Sequence, residues 1–242
     1  MLALFTDFGA DDIYVGQLKA ALLRNGAAAA PIVDLCHTAP NFAVRAAAHL
    51  LAALCGRFPS GTVFLAVVDP GVGGGREPVA VRAQGRWYVG PDNGLLSVLA
   101  ARAADTSTSR IVWRPQDLSA TFHGRDLFAP VAAHLAAGSL PEDAIEPTSG
   151  LTVQLGAGDL AEVVYVDHYG NALTGLRATG VPRGAAIDVA GHRLRRRETF
   201  SDVVAGEPFW YENSIGLLEI AVNLGSAERT LKLGVGTAVT VV

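Results

Sequence analysis

Asp69, Arg76 and His123 supply a carboxylate, a guanidinium and an imidazole, the kinds of group a protein uses to accept, pass on or steer a proton. The first two lie in V-V-D-P-G-V-G-G-G-R, Val67 to Arg76, where four glycines fall within five residues. Glycines at that density remove side chains, so backbone can press against a ligand or take positive φ, and Pro70 stiffens the way in. Asp69 and Arg76 stand seven positions apart in the chain. A compact turn would bring both charges to one point, and the same stretch also fits a glycine-rich turn closed by a surface ion pair. His123 stands in T-F-H-G-R-D, in a loop ahead of an apolar helical run from Phe128 to Ala137. Alone it reads as structural or solvated; in the company of Asp69 and Arg76 it becomes an acid/base candidate.

Strand ends must carry these groups. Thr62 to Val68 is β-branched and apolar and predicts the buried strand that delivers Asp69. Upstream, Leu2 to Thr6 predicts a first strand ending at Asp7. Asp11 is the expected N-cap of a helix over Asp12 to Arg24, which has Val15, Leu18 and Leu22 on one face and Gly26 as its stop. A carboxylate at the carboxyl end of the first strand of an open α/β sheet stands where such folds bind ligands. Asp7 can accept from two neighbouring ribose hydroxyls there, or it can serve as a turn or capping aspartate. Pro31 to Cys36 predicts a second strand and Asn41 to Cys55 a second helix. After the glycines, Val79 to Ala83 and Arg86 to Val89 predict a hairpin through Gln84-Gly85, which makes the sheet mixed. Pro91-Asp92-Asn93-Gly94 reads as a turn capping a helix over Leu95 to Arg102, and Ile111 to Trp113 as a short strand.

From Gly138 to Gly150 the composition shifts to Gly, Pro, Ser and acidic residues, a domain boundary. Residues 1–145 are therefore expected to form an α/β domain with a mixed central sheet, and 155–242 a smaller all-β, barrel-like domain. In the latter, strands are expected at Val163 to Val166, Ala172 to Leu176, Ala185 to Val189, Leu217 to Val222, Leu231 to Leu233 and Ala238 to Val242, with no helix. Two of its loops set polar residues among glycines, D-H-Y-G-N at Asp167 to Asn171 and E-N-S-I-G at Glu212 to Gly216, and each also reads as a plain turn.

Composition narrows the function classes. The 242 residues are 50% hydrophobic with a net charge of −4, a mean hydropathy of +0.31 and a pI near 5.8. That balance argues against a nucleic-acid partner, and the cluster Arg193 with Arg195 to Arg197 reads as a solvated strand face and loop. No apolar run approaches the roughly 20 residues of a membrane span, and the chain opens directly into a strand, so a cytoplasmic protein is expected. Cys36 and Cys55 sit in apolar sequence as reduced packing residues. There is no metal-ligand spacing and no Walker-type phosphate loop, so neither a metal nor a cofactor is expected.

Taken in order, the motifs resemble one family along nearly the whole chain. They are T-D-F-G at Thr6 to Gly9, D-P-G-V-G with Arg76 downstream, P-D-N-G-L-L at Pro91 to Leu96, T-F-H-G-R-D-x-F-A-P ending at Pro130, D-H-Y-G-N, and N-S-I-G-L-L-E-I-A at Asn213 to Ala221. The chain resembles the adenosine-forming S-adenosylmethionine (SAM) hydrolases, or SAM hydroxide adenosyltransferases, relatives of the fluorinating and chlorinating SAM enzymes. The resemblance implies an α/β N-terminal domain, a β-barrel C-terminal domain, and a homotrimer with sites between subunits. It implies a hydrolase whose activated water attacks the ribose 5′ carbon, giving adenosine and L-methionine.

Residue by residue, the resemblance implies that Asp69, Arg76 and His123 activate water and that Asp7 holds the ribose diol. It implies Asp167 and Ser214 for the methionine amine and carboxylate, Asn171 with the loop at Asn223 for adenine, and Phe200 as a stacking ring. The halogenating relatives have a tyrosine where Asp69 stands, and the fluorinating ones a serine where Gly124 stands, so this sequence favours water. Ile215 departs from the pattern, which has Phe in the hydrolases and Arg in the fluorinating relatives. A halogenase or other 5′-substituting enzyme, and a non-catalytic SAM or adenosine binder, are the competing readings.

Overall fold

The computed structural model describes residues 1–242. By internal packing the chain divides into two compact units, Met1–Leu51 with Phe58–Ala157, and Ala52–Arg57 with Gly158–Val242.

The first unit is built on a seven-stranded mixed sheet. Its strands are β1 (Leu2–Thr6), β2 (Ile32–Cys36), β3 (Val63–Val67), β4 (Pro78–Ala83), β5 (Arg86–Pro91), β6 (Thr106–Ile111) and β7 (Ile145–Thr148). They lie in the order β2-β1-β3-β5-β4-β6-β7. The first four of that order run parallel and β4, β6 and β7 antiparallel to their neighbours, the mixed sheet that the hairpin implied. Every residue of β1 and β3 is buried, as strands covered on both faces must be. Helices α1 (Ile13–Arg24), α2 (Val44–Leu54) up to Leu51, α3 (Ser97–Arg102) and α4 (Ala129–Ala137) complete the unit. Leu2 and Leu4 of β1, with Val63, Leu65 and Val67 of β3, share one core with Leu18 and Leu22 of α1 and Val131 of α4. The α1 cap is Asp12, one residue later than expected, whose carboxylate accepts from the Ile13 amide at 2.6 Å.

Two strands of this sheet differ from the sequence reading. β6 occupies T-S-T-S-R-I, ending at Ile111 instead of beginning there, and β7 falls within the Gly, Pro and acidic stretch read as a boundary. Both are half-exposed strands at one side of the sheet, where polar residues suffice because one face meets water.

The second unit contains β8 (Leu160–Val166), β9 (Ala172–Arg177), β10 (Ala186–Val189), β11 (His192–Arg195), β12 (Pro208–Glu212), β13 (Leu217–Val222) and β14 (Val239–Val241). They form two antiparallel sheets, β12-β13-β9-β8 and β11-β10-β14. Single bridges join the sheets at both ends, Glu162 with Ala238 and Arg196 with Trp210, so the seven strands close into a ring. Each strand sends a side chain into one core, among them Val163, Ala172, Ile187, Leu194, Trp210, Ile220 and Val239. Leu231 to Leu233 is not a strand. A short helix, α5 (Ala227–Leu231), ends there, capped by the Ser226 hydroxyl accepting from the Arg229 amide at 3.2 Å. The arginine cluster is also less solvated than its composition implied. Arg193 pairs with Asp188 at 2.9 Å on the hairpin, but the Arg196 side chain is 10% exposed, its guanidinium 5.7 Å from the Trp210 ring.

Candidate active site

In the order β2-β1-β3 the crossover from β1 runs to one side and the chain then returns to the other, so the sheet's topological switch point lies between β1 and β3. Thr6 pairs in register with Val67, which sets Asp7 and Asp69 at the same end of adjacent strands. A cleft of about 600 Å³ opens there, lined by Asp7, Asp69, His123 and an aromatic wall of Phe8, Tyr14 and Phe122. Those rings meet pairwise, with centroids 5.5 to 6.1 Å apart. Burial pushes the Asp7 carboxyl above its ordinary value, and the neighbouring Asp69 charge acts in the same direction.

The glycine loop turns Arg76 back onto Asp69. The Arg76 Nε donates to Asp69 Oδ1 at 3.1 Å and Oδ2 at 3.0 Å, and Nη2 donates to Oδ2 as well. Both side chains are withdrawn from water, 10% exposed for Arg76 and 5% for Asp69, so this is not the surface ion pair the stretch also allowed. Arg76 Nη2 then reaches His123 Nδ1 at 3.0 Å, and its guanidinium lies 5.2 Å from the Phe128 ring centre. A guanidinium has only donors, so His123 Nδ1 accepts and the ring proton resides on Nε2. Burial and the Arg76 charge hold His123 below the ordinary imidazole value, which keeps it neutral.

Local struts fix this arrangement. Gly73 has φ +78° and packs so closely on the 119–122 loop that a Cβ would stand 2.5 Å from the Ala120 carbonyl oxygen. Only glycine lets the two loops meet there. Asp126, held below the usual carboxylate range chiefly by its hydrogen bond from Arg125, accepts the Ser119 amide at 3.1 Å and steadies the loop bearing His123. Gly124 leaves room for the aromatic wall, since a Cβ there would lie 3.1 Å from Phe8 Cζ. The P-D-N-G turn does more than cap a helix. Asn93 Nδ2 donates to the Val68 carbonyl at 2.8 Å, directly before Asp69, while buried Asp92 accepts the Thr152 amide at 2.8 Å.

The second unit has a cleft of its own, about 810 Å³, lined by Asp167, Asn171, Phe200, Ser214 and Asn223. Asp167 closes its turn by accepting the amides of Tyr169 at 2.9 Å and Asn171 at 2.8 Å, and Asn171 Nδ2 at 3.0 Å. Asn223 Nδ2 donates to the Val203 carbonyl at 2.6 Å, and Phe200 packs edge-on against Phe209 and Tyr211. The structure thus joins Asp69, Arg76 and His123 directly, sets Asp7 beside them, and gathers the other five residues in the second cleft.

Sequence comparison decides the family. The SAM hydroxide adenosyltransferase N-terminal domain model matches residues 2–145 and the SAM hydroxide adenosyltransferase C-terminal domain model residues 161–240. The chain belongs to the SAM hydroxide adenosyltransferase family. It is 42% identical to the (R)-S-adenosyl-L-methionine hydrolase of Thermus thermophilus, over 97% of this chain and 96% of that one. The fluorinase of Actinopolyspora mzabensis is more distant, 30% identical over 100% and 96% of the two chains. The crystal structure of an uncharacterized conserved protein from Thermotoga maritima superposes with a TM-score of 0.90 at 34% identity, covering 100% of both chains. Phe8, Phe122 and Asn93 lie inside motifs that carry the family resemblance, whereas Tyr14 enters the site through folding and packing.

Proposed function

We propose that this protein hydrolyses SAM to adenosine and L-methionine. The observation that carries the reading is the bonded set of Asp69, Arg76 and His123 beside Asp7 at the switch point of the sheet. In the reaction a water oxygen bonds to the ribose 5′ carbon, and the C5′–S bond breaks with its electrons going to sulfur. One proton leaves to solvent, so the sulfonium charge departs as that proton. Methionine leaves as a neutral thioether, and no general acid, metal or redox cofactor is required. The work is to place and deprotonate a water in line with the bond.

A guanidinium about 4 Å from that oxygen contributes roughly 4 kcal/mol at an effective dielectric near 20. This lowers a water pKa of ~15.7 by only about three units. Arg76 is also offset by the Asp69 charge it binds, so a proton acceptor is needed. His123 has Nδ1 engaged by Arg76 and Nε2 protonated, which makes it a donor that orients the water. Asp69 is then the acceptor: its carboxylate oxygens have lone pairs beyond those Arg76 uses, and it ends the strand next to Asp7. In this reading Asp7 receives the ribose diol, Asp167 and Ser214 the amino-acid end, and Asn171 with the Asn223 loop the adenine, stacked by Phe200. Support for the second group is that all five line one cleft.

Our reading includes a homotrimer in which the first cleft of one subunit and the second cleft of its neighbour act on one substrate molecule, as the family resemblance implies. It also includes a cytoplasmic setting, which the thiols of Cys36 and Cys55 suit. The test is incubation of SAM, each sulfonium epimer separately, in ¹⁸O-water containing chloride. Adenosine carrying the label on its 5′ oxygen, with unlabelled L-methionine and preference for the R epimer, is expected. A 5′-chloro nucleoside or S-adenosylhomocysteine as main product, or unchanged SAM, would overturn the assignment.

A further inference from the structure

We propose that Glu219 is a positioning residue for the amino-acid end of the substrate, acting through Asn213 on the turn that presents Ser214. The proposal rests on the assignment of Ser214 above. Glu219 lies in the middle of β13, in L-L-E-I-A, 5% exposed among Leu218, Ile220 and Ala221. Burial pushes its carboxyl up, and the Asp167 charge adds to that. No cation pairs with it. Its partners are neutral donors, the Tyr211 hydroxyl on Oε1 and Asn213 Nδ2 on Oε2 at 2.8 Å. A buried carboxylate in such a strand is less favourable for stability than an apolar residue of the same size.

What the carboxylate secures is the orientation of one amide. With Nδ2 held by Glu219, the Asn213 Oδ1 must face the turn, where it accepts the Ile215 amide at 3.1 Å and the Leu217 amide at 2.9 Å. The Asn213 backbone closes the same turn, accepting from the Gly216 amide at 3.0 Å and donating to the Leu217 carbonyl at 2.9 Å. Ser214 stands exposed at the tip, in the cleft. Without Glu219 the Asn213 amide loses its only fixed donor contact, and the Ile215 and Leu217 amides on the far side of Ser214 lose the fixed orientation of their common acceptor. The Arg57 hydrogen bond to the Ser214 carbonyl at 2.6 Å is then left to hold the tip. The loss falls on the part of the substrate beyond the sulfur, since Asn171 and Asn223, assigned to adenine, keep hydrogen bonds that do not involve Glu219.

The experiment compares Glu219→Ala and Glu219→Gln in the full-length chain. A lost hydrogen bond to a charged group corresponds to about a tenfold or greater change in a binding constant. Glu219→Ala should raise KM for SAM about tenfold or more and weaken L-methionine binding, titrated by calorimetry at saturating adenosine, by a similar factor. Its kcat and its affinity for adenosine should stay close to wild type. Glutamine can still accept from Asn213 and donate to Tyr211, so Glu219→Gln should restore KM and methionine affinity to within about threefold. Equal weakening of adenosine and methionine would reduce Glu219 to a general structural part and overturn the proposal, as would unaltered methionine affinity in Glu219→Ala. If that variant does not fold, Asn213→Asp keeps the acceptor toward Ile215 and Leu217 but cannot donate to Glu219. It should show the same selective loss, and wild-type methionine affinity there would also refute the idea. The methionine titration needs no turnover, so a wild-type enzyme inert toward SAM would sink the hydrolase assignment separately.

Discussion

His123 concentrates the chemistry of the site in one proton position. Arg76 donates to Nδ1, burial penalises the imidazolium, and Arg114 adds a further opposing charge, against a weaker pull from Asp69 and Asp126. The ring's pKa is lowered from 6.5, so this contact's share of stability and activity is present above the unfolded value. It is lost as pH falls through the still lower folded value. The midpoint of the acid limb of the kcat/KM profile that belongs to His123 is therefore expected below pH 6.5. His123→Asn, which keeps an acceptor for Arg76 but no titrating ring, should lack the limb that belongs to the histidine. A wild-type profile centred on 6.5 would show that the Arg76 contact does not govern the ring. The triad itself was legible because its members sit in motifs, D-P-G-V-G and T-F-H-G-R-D. Tyr14 was not, because an exposed aromatic on α1 acquires a role only when the fold brings Phe122 to it. Glu219 left a signal that the sequence reading passed over, a single acid inside an apolar strand.

At the level of elements, the site depends on where strands stop and how tightly loops can approach. Apolar, β-branched runs marked β1 and β3 clearly, and with them the ends that carry Asp7 and Asp69. β6 and the α5 segment were misread for opposite reasons: T-S-T-S-R-I lacks the apolar signal of a strand, and L-K-L mimics one at a helix end. Glycine count was an imprecise guide as well. Gly73 combines φ +78° with a Cβ position 2.5 Å from a carbonyl oxygen, whereas a Cβ on Gly75 would meet nothing within 4 Å. Gly73→Ala should therefore cost about 1–3 kcal/mol in stability and, by shifting the loop against the His123 loop, lower kcat about tenfold or more. Gly75→Ala should leave both near wild type. Thermal melts with single-turnover rates distinguish the two positions, and equal effects would show that loop flexibility, not the close approach at Gly73, is what matters.

For the whole molecule, the residues assigned to water and ribose all precede residue 145, and those assigned to methionine and adenine all follow 155. In our trimer reading, these sets meet across a subunit boundary. Mixing Asp69→Ala chains with Ser214→Ala chains, then unfolding and reassembling them, should recover activity. Random assembly gives each site an intact half from either neighbour, about a quarter of wild-type sites in an equal mixture. A within-chain site would yield none, and an active monomer in light scattering would refute the trimer outright. The second unit also has a mechanical property that follows from how its ring is closed. Only one bridge joins the sheets at each seam, Glu162 with Ala238 and Arg196 with Trp210, whereas β13 and β9 lie paired in the interior of the larger sheet. Local opening is favoured where few backbone bonds hold, so amide hydrogen exchange is expected to be faster at these seams than along β13 and β9. Glu219 rides on β13 in the interior of the larger sheet, while its partner Tyr211 rides on β12 beside the Arg196 to Trp210 seam, so the hydrogen bond between them ties that joint to the sheet interior.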